Sequence, residues 1–193
     1  MTMNPVDPNR VLLTGENSFI RLSESDGSPH LTRVSHWRIL LSPQGPGHVL
    51  FFKSDVVGDE IIIYSDNIGL TRWLQGEIES VLFPEFADQE IPVIDAEFTK
   101  LGDGKSFWIE KITSEEDSIS LAWHDFLEPF MLTVEAGSNP NRPHGVYSCF
   151  IPAQQAQVTF NGLVAEGKVF LEPRGDRQSS GACLAWSETW VRP

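Results

Sequence analysis

Apolar and polar residues alternate in a series of short runs along most of this chain, and this pattern is the strongest constraint on its fold. Successive side chains of a β-strand point to opposite faces, so a period of two is typical of a strand that buries one face. The runs are rich in Val, Ile, Phe, Trp and Thr, and they end at Gly, Pro, Asn or Asp. The pattern predicts about a dozen strands.

Three glycine-containing turns indicate how neighbouring strands pair. Asn161-Gly162, Gly58-Asp59 and Gly102-Asp103-Gly104 each separate two strand-like runs. Such residues readily adopt the positive φ angles that tight β-hairpin turns require. Three hairpins between consecutive strands predict an antiparallel meander.

One segment departs from the alternation and has the spacing of a helix. Its apolar residues recur at i, i+3, i+4 and i+7, and they are Leu70, Trp73, Leu74, Ile78, Val81 and Leu82. Asp66 or Asn67 can cap the amino end, and Pro84 follows the carboxyl end. We expect one helix over about residues 67–83, packed on the outside of the sheet.

The predicted elements favour one all-β domain over residues 1–193, since no Pro- or Ser-rich linker divides the chain. So many strands would leave exposed edges unless the sheet closed on itself. We therefore expect an antiparallel meander that forms a closed or nearly closed barrel. In shape this arrangement resembles the calycin and lipocalin-like barrels, and the resemblance implies binding of, or catalysis on, small organic molecules.

Charge and missing motifs exclude several classes of function. The formal net charge is −13, with 14 basic and 27 acidic residues and no basic cluster. Neither nucleic acid nor an anionic membrane surface is therefore expected as a partner. The sequence has no Gly-x-Gly-x-x-Gly, P-loop or Gly-x-Ser-x-Gly motif, so we expect no cofactor and no α/β-hydrolase chemistry. The first ten residues lack the pattern of a secretory signal, which favours the cytoplasm.

The spacing of the cysteines and histidines does not match the patterns of common metal sites. Cys149 and Cys183 are the only thiols, and they do not form a Cys-x-x-Cys pair. In a reducing compartment we expect free thiols, although paired strands could bring the two close enough for a disulfide. A metal bound by distant strands, through His36, His124 and His144, remains an alternative.

A repeated motif contains the two acids of greatest interest. "LAWHD" at 121–125 is echoed by "LAWSE" at 184–188, and each ends in a carboxylate, Asp125 or Glu188. Strict alternation places Glu188 on the same face as Leu184, Trp186 and Trp190, and it places Asp125 with Leu121 and Trp123. A carboxylate on an apolar face has a raised pKa or a partner. We interpret both as acid/base candidates; the alternative is a rim position or an ion pair with Arg38, Arg142, Arg174 or Arg192.

Three other polar residues are candidates for orienting a ligand. His144 lies at the end of the proline-containing loop 135–145, His36 lies within a predicted strand, and Tyr147 is one of two tyrosines. The alternative for His36 is a position that faces water, and the alternative for His144 is an exposed place in the loop. His124 faces away from Asp125 in a regular strand, so the two do not act together.

Tryptophans in the middle of predicted strands are candidates for lining a ligand pocket. They are Trp37, Trp108, Trp123 and Trp186. Aromatic residues pack strand cores in any case, so these side chains also fit a filled interior.

The leading hypothesis is a barrel that binds a hydrophobic, partly oxygenated small molecule in its lumen. Glu188 and Asp125 would catalyse a cofactor-free isomerisation, hydration, elimination or cyclisation. A non-catalytic carrier is the second hypothesis. An interaction module with a filled core, such as a subunit of a homodimer, is the third.

Overall fold

The computed structural model describes residues 8–58 and 60–193, and strands dominate it. The strands are β1 Val11–Ser23, β2 His30–Leu41, β3 Gly47–Ser54, β4 Ile61–Ser65, β5 Val93–Asp95, β6 Glu97–Gly102, β7 Phe107–Thr113, β8 Ser118–Phe126, β9 Phe130–Val134, β10 Gly145–Phe160, β11 Leu163–Val164, β12 Leu171–Arg174, β13 Arg177–Ser180 and β14 Ala182–Val191. Short 3₁₀ turns lie at Pro8–Arg10, Asp55–Val57 and Pro84–Phe86.

The main sheet curls into a nearly closed barrel, as predicted. Its strand order is β5-β4-β3-β2-β1-β14-β10-β8-β7-β6, with β9 and β11 also paired to β10, while β12 and β13 form a separate hairpin. Strands β5 and β6 lie at opposite ends of this order, yet only Ala96 separates them along the chain. The sheet must therefore bend round until its two edges are neighbours.

The sheet is mixed, whereas the sequence predicted an antiparallel one. Strands β4 and β5 pair in parallel, and every other pair in the sheet is antiparallel. The chain between them, residues 66–92, forms a helical crossover. Such a crossover returns the chain to the same end of the sheet, which allows parallel pairing.

Hairpins occur at the predicted turns. Asn161 and Gly162 have φ angles of 48° and 84° and connect β10 to β11. Gly102 and Gly104 also have positive φ, and they flank the turn from β6 to β7. Strands β3 and β4 pair antiparallel around Gly58, while Asp59 lies outside the described residues.

Hydrophobic side chains from strands all round the sheet fill the barrel interior. We call this group the inner cluster, and its largest fully buried members are Trp123, Tyr64, Phe52, Ile20, Leu22 and Leu50. Phe52 stacks on Phe160 across the interior, with ring centroids 5.9 Å apart. The interior is thus a packed core of the kind that small barrels form.

A second hydrophobic core lies on the outer face of the barrel, under the predicted helix. The helix starts as Ile68–Leu74, continues as a π-helical turn over Gln75–Glu79 and ends with Ser80–Leu82; we call residues 68–82 the outer helix. The side chain of Asn67 caps it by accepting a bond from Leu70 N at 3.0 Å. Its buried face packs on β2, β3, β4 and β14, and this outer cluster includes Leu70, Leu74, Ile78, Trp37, Phe51 and Trp190.

Candidate functional site

A cavity of about 140 Å³ lies on the outer face of the barrel, beside the end of the outer helix. We call it the outer cavity. None of its lining residues belongs to the inner cluster, and they are Asn17, Phe19, Arg21, Leu82, Phe83, Leu132, Arg142, Val146, Phe150, Arg174, Glu188 and Trp190. Three larger hollows, of about 300 to 510 Å³, are lined mainly by a mixture of exposed and half-buried residues and contain no buried acid.

Among the residues that the structure describes, Glu188 is the only acid that lines the outer cavity. Its side chain is buried, and its Oε1 accepts a hydrogen bond from Trp190 Nε1 at 2.7 Å. Desolvation raises the pKa of Glu188 to about 7, although the Trp190 bond, the nearby Ser148 hydroxyl and the Arg142 charge act in the opposite direction. This carboxyl can therefore both donate and accept a proton near neutral pH.

A β-bulge in β14 determines which way Glu188 points. Thr189 pairs with Tyr147 and Trp186 pairs with Cys149, so two residues of β14, 187 and 188, oppose Ser148 alone. The pairing with β1 also has one extra residue on β14 in this region. Ser187 is this extra residue, and its φ of 53° lies in the left-handed region. A bulge of this kind shifts every following side chain to the opposite face.

The predicted common face of Trp186, Glu188 and Trp190 is therefore wrong. Trp186 belongs with the inner cluster and meets Trp108 edge to face, with ring centroids 5.0 Å apart. Glu188 and Trp190 lie on the outer side of the barrel instead. The pKa of Glu188 is raised as expected, but the cavity that it lines is outside the barrel and not in the lumen.

Three arginines surround the outer cavity: Arg21, Arg142 and Arg174. Arg142 lies over the ring of Trp190 at 5.3 Å, and Arg174 lies over the ring of Phe150 at 5.3 Å. Among the described residues neither of these two guanidinium groups forms an ion pair, and the buried Nε of Arg142 has no hydrogen-bond partner. Glu188 is thus near Arg142 without being paired to it, so the arrangement differs from a closed structural ion pair.

A second buried acid, which the sequence did not predict, lies behind the cavity wall. Glu79, in the π-helical turn, accepts hydrogen bonds from Trp37 Nε1 at 2.6 Å and from Ser35 Oγ at 2.8 Å. Asn17, which lines the cavity, donates to the same Ser35 hydroxyl at 3.1 Å. Desolvation raises the pKa of Glu79 to about 7, and the nearby charge of Glu188 contributes in the same direction.

The only sequence signal for Glu79 is its spacing. Thr71, Gln75 and Glu79 follow one another at i, i+4 intervals beside the apolar stripe, and all three are completely buried. Helical periodicity puts them on one side of the helix, but it does not reveal that this side is covered.

Asp125 does not join the site. Its φ of 54° breaks the alternation at the end of β8, and its carboxylate is exposed. There it accepts a hydrogen bond from Gln155 Nε2 at 2.7 Å. The predicted inward orientation of Asp125 is wrong, and its catalytic role is left without support.

The three candidate orienting residues lie apart from one another, and none lines the outer cavity. His36 is buried in the barrel interior near Phe98, and desolvation holds its pKa well below the usual value. His144 packs beside Trp190 and lies 3.1 Å from Glu77 Oε1. Tyr147 donates to Glu135 on the surface at 3.1 Å.

The four tryptophans predicted to bind a ligand are core residues. Trp108 and Trp123 lie in the inner cluster, where Trp108 Nε1 donates to Glu110 at 2.8 Å and Trp123 Nε1 donates to the Phe19 carbonyl at 3.1 Å. Trp37 faces outward instead, under the outer helix. Trp190, which was not among the four, is the tryptophan that lines the cavity.

Over residues 8–58 and 60–193, no group of three His, Cys, Asp or Glu side chains is arranged to hold a metal ion. Cys149 and Cys183 are free thiols, and burial raises the pKa of Cys183. No helix in the described part of the chain is both long and apolar enough to cross a lipid bilayer.

The outer cavity is thus lined by one protonatable carboxyl, three arginines and several apolar side chains. This combination can bind a small organic molecule and exchange a proton with it. Comparison with protein-family models, with curated proteins and with solved structures found no match to this chain.

Proposed function

We propose that this protein binds a small organic molecule in the outer cavity and that Glu188 transfers a proton to or from it without a cofactor. The observation that carries the proposal is the position of Glu188, a buried, unpaired carboxyl that lines a cavity of ligand size. The reaction class is isomerisation, elimination or hydration, because each of these needs a proton acceptor that can return the proton.

The simplest step on a carbonyl compound uses Glu188 alone. Its carboxylate takes a proton from the carbon next to the carbonyl, the C–H electron pair moves into an enolate, and the new O–H bond forms on Glu188. The same group then returns the proton to carbon. A pKa of about 7 favours both steps, since the protonated and ionised forms of Glu188 are similarly populated at neutral pH.

A non-catalytic carrier is the second candidate, and one observation favours it. Glu188 has no second acid or base beside it among the residues that line the cavity. A carrier would use the same walls but would leave the C–H bonds of its ligand intact.

Proton exchange in D₂O separates the two functions. The probes are acetophenone, which is neutral, and phenylpyruvate, which is anionic; both have exchangeable hydrogens next to a carbonyl. We expect the protein to accelerate loss of the ¹H NMR signal of at least one probe, and we expect Glu188→Gln to abolish this while Glu90→Gln, at an exposed carboxylate, does not. Binding without accelerated exchange would leave only the carrier.

We further propose the cytoplasm as the location of the protein. The free thiols of Cys149 and Cys183 support this, because a reducing compartment keeps cysteines in that state.

A further inference from the structure

We propose that the ligand of the outer cavity is a monocarboxylate with a single ring or a branched hydrocarbon group, whose carboxylate is bound by Arg142 and Arg174. This inference deepens the proposed function and rests on it for the position of the site. It adds the chemical class of the ligand and the residues that select it.

The charges at the cavity favour an anion. The chain has 14 basic residues against 27 acidic ones, yet three arginines and one acid line this small space. Arg21 is already paired with Glu172 at 2.9 Å, whereas Arg142 and Arg174 have no acidic partner among the described residues. A guanidinium group binds a carboxylate through two parallel hydrogen bonds, and a buried N–H without a partner, such as Arg142 Nε, is costly.

The size of the cavity limits the apolar part of the ligand. Its volume of about 140 Å³ is close to that of an apolar cavity that holds one benzene molecule, about 150 Å³. The apolar walls are Trp190, Phe150, Leu132 and Val146. One ring or one branched chain fits against these walls, with the carboxylate directed to the arginines.

Glu188 makes the binding depend on pH. The charged or titratable groups around it are Arg142, Arg21 and Arg174 on the cavity walls, with Glu79 and Cys183 behind them. A protonated Glu188 leaves the arginine charges available to the ligand, whereas an ionised Glu188 repels the ligand carboxylate. Bound anion therefore favours the protonated form, and affinity falls as pH rises through the pKa of about 7.

Titration calorimetry with the full chain tests the ligand class. The probes are benzoate, phenylacetate and 3-methylbutanoate, each compared with its neutral amide. We expect at least one acid to bind about tenfold more tightly than its amide, since the amide loses the charge-assisted bonds. Equal or tighter binding of the amides, or no binding of any acid at millimolar concentration, would overturn the proposal.

Arginine variants test the residues. We expect Arg142→Gln and Arg174→Gln each to weaken acid binding about tenfold, and Arg142→Lys to restore only part of it, because lysine lacks the planar fork. Arg177→Gln is the matched control, since it removes the same charge from the neighbouring strand β13 without lining the cavity. Thermal melts establish that each variant is folded. Unchanged affinity in a folded Arg142→Gln variant contradicts the inference.

A pH series completes the test. Between about pH 6 and pH 8 the affinity of the wild type should fall about fivefold, while Glu188→Gln should show little change. A flat wild-type profile contradicts the role given to Glu188 here. The outcomes also separate the two proposals: acid binding without proton exchange leaves the ligand class standing and removes the catalysis. Proton exchange on acetophenone, without tighter binding of acids than of amides, would leave the catalysis standing and remove the ligand class.

Discussion

The functional interpretation depends on Glu188, which differs from a surface acid because its carboxyl is buried and, in the part of the chain that the structure describes, has no paired cation. Trp190 Nε1 donates to one carboxyl oxygen, but no cation pairs with the group among the described residues. Burial therefore dominates its ionisation and raises its pKa from 4.5 to about 7. A group whose charged form is disfavoured by the fold reduces stability when it ionises.

Replacing Glu188 with Gln should remove this effect. The contribution of Glu188 to the stability of the wild type should be fully present below the unfolded pKa of about 4.3 and should be lost as pH rises through about 7. Glu188→Gln keeps the volume and the bond from Trp190, so we expect it to be more stable than the wild type above pH 7, by up to about 3 kcal/mol. The two should be equal near about pH 4. Urea denaturation at several pH values measures this difference; a less stable variant at high pH would instead indicate a structural ion pair.

The bulge in strand β14 determines which of its side chains face the barrel interior and which face outward. Before Ser187 the side chains of Leu184 and Trp186 point into the barrel, and after it Glu188 and Trp190 point outward. One strand therefore contributes to both hydrophobic cores. The bulge is also what brings a carboxyl to the outer cavity, because a regular strand would direct it into the packed interior.

Substitutions at Ser187 test the bulge directly. Ser187 is exposed and has a φ of 53°, so a change there alters backbone preference with little loss of packing. Ser187→Val should destabilise the protein by about 1–2 kcal/mol, because a β-branched residue strongly disfavours positive φ. Ser187→Gly is the matched control and should be within about 0.5 kcal/mol of the wild type, since easier positive φ offsets greater unfolded-chain entropy. Thermal melts compare the two; equal stability of Val and Gly would show that the bulge is absent or relocates freely.

The barrel as an assembly presents an acidic surface, with a formal charge of −13. The arginines that converge at the outer cavity do not form an extended basic face, since Glu188 and Glu172 lie among them. Binding to a polyanion requires many phosphate contacts that release counterions, and this surface offers few.

We therefore expect no complex with duplex DNA or with single-stranded RNA. Gel-shift titrations at low salt, where such binding is strongest, provide the measurement. A lysozyme-type basic protein assayed in parallel serves as the positive control. Tight binding that weakens steeply with added salt would contradict the expectation.

The strands, the outer helix and the hairpin at Asn161-Gly162 could be predicted because their signals are local. Alternation, helical spacing and turn residues act over a few positions, and the structure has strands over most of the alternating runs, the helix near the predicted residues and this hairpin. The pattern did not predict the β12–β13 hairpin. The nearly closed sheet could also be predicted, since a sheet of a dozen strands with open edges would be prone to aggregate. Glu188 was a candidate for a buried acid for a related reason: Trp186 and Trp190 lie two positions before and after it.

The direction of Glu188 and the membership of its site were decided by contacts between distant parts of the chain. The bulge at Ser187 exists only relative to the registers of β1 and β10, which alternation within β14 does not contain. Arg142 and Arg174 reach the cavity from a loop and a small hairpin, and Glu79 is buried because the outer helix packs this residue against Ser35 and Trp37 of β2. Long-range register and burial depend on which strands become neighbours, so a local pattern predicted the acid but the tertiary structure placed it outside the barrel.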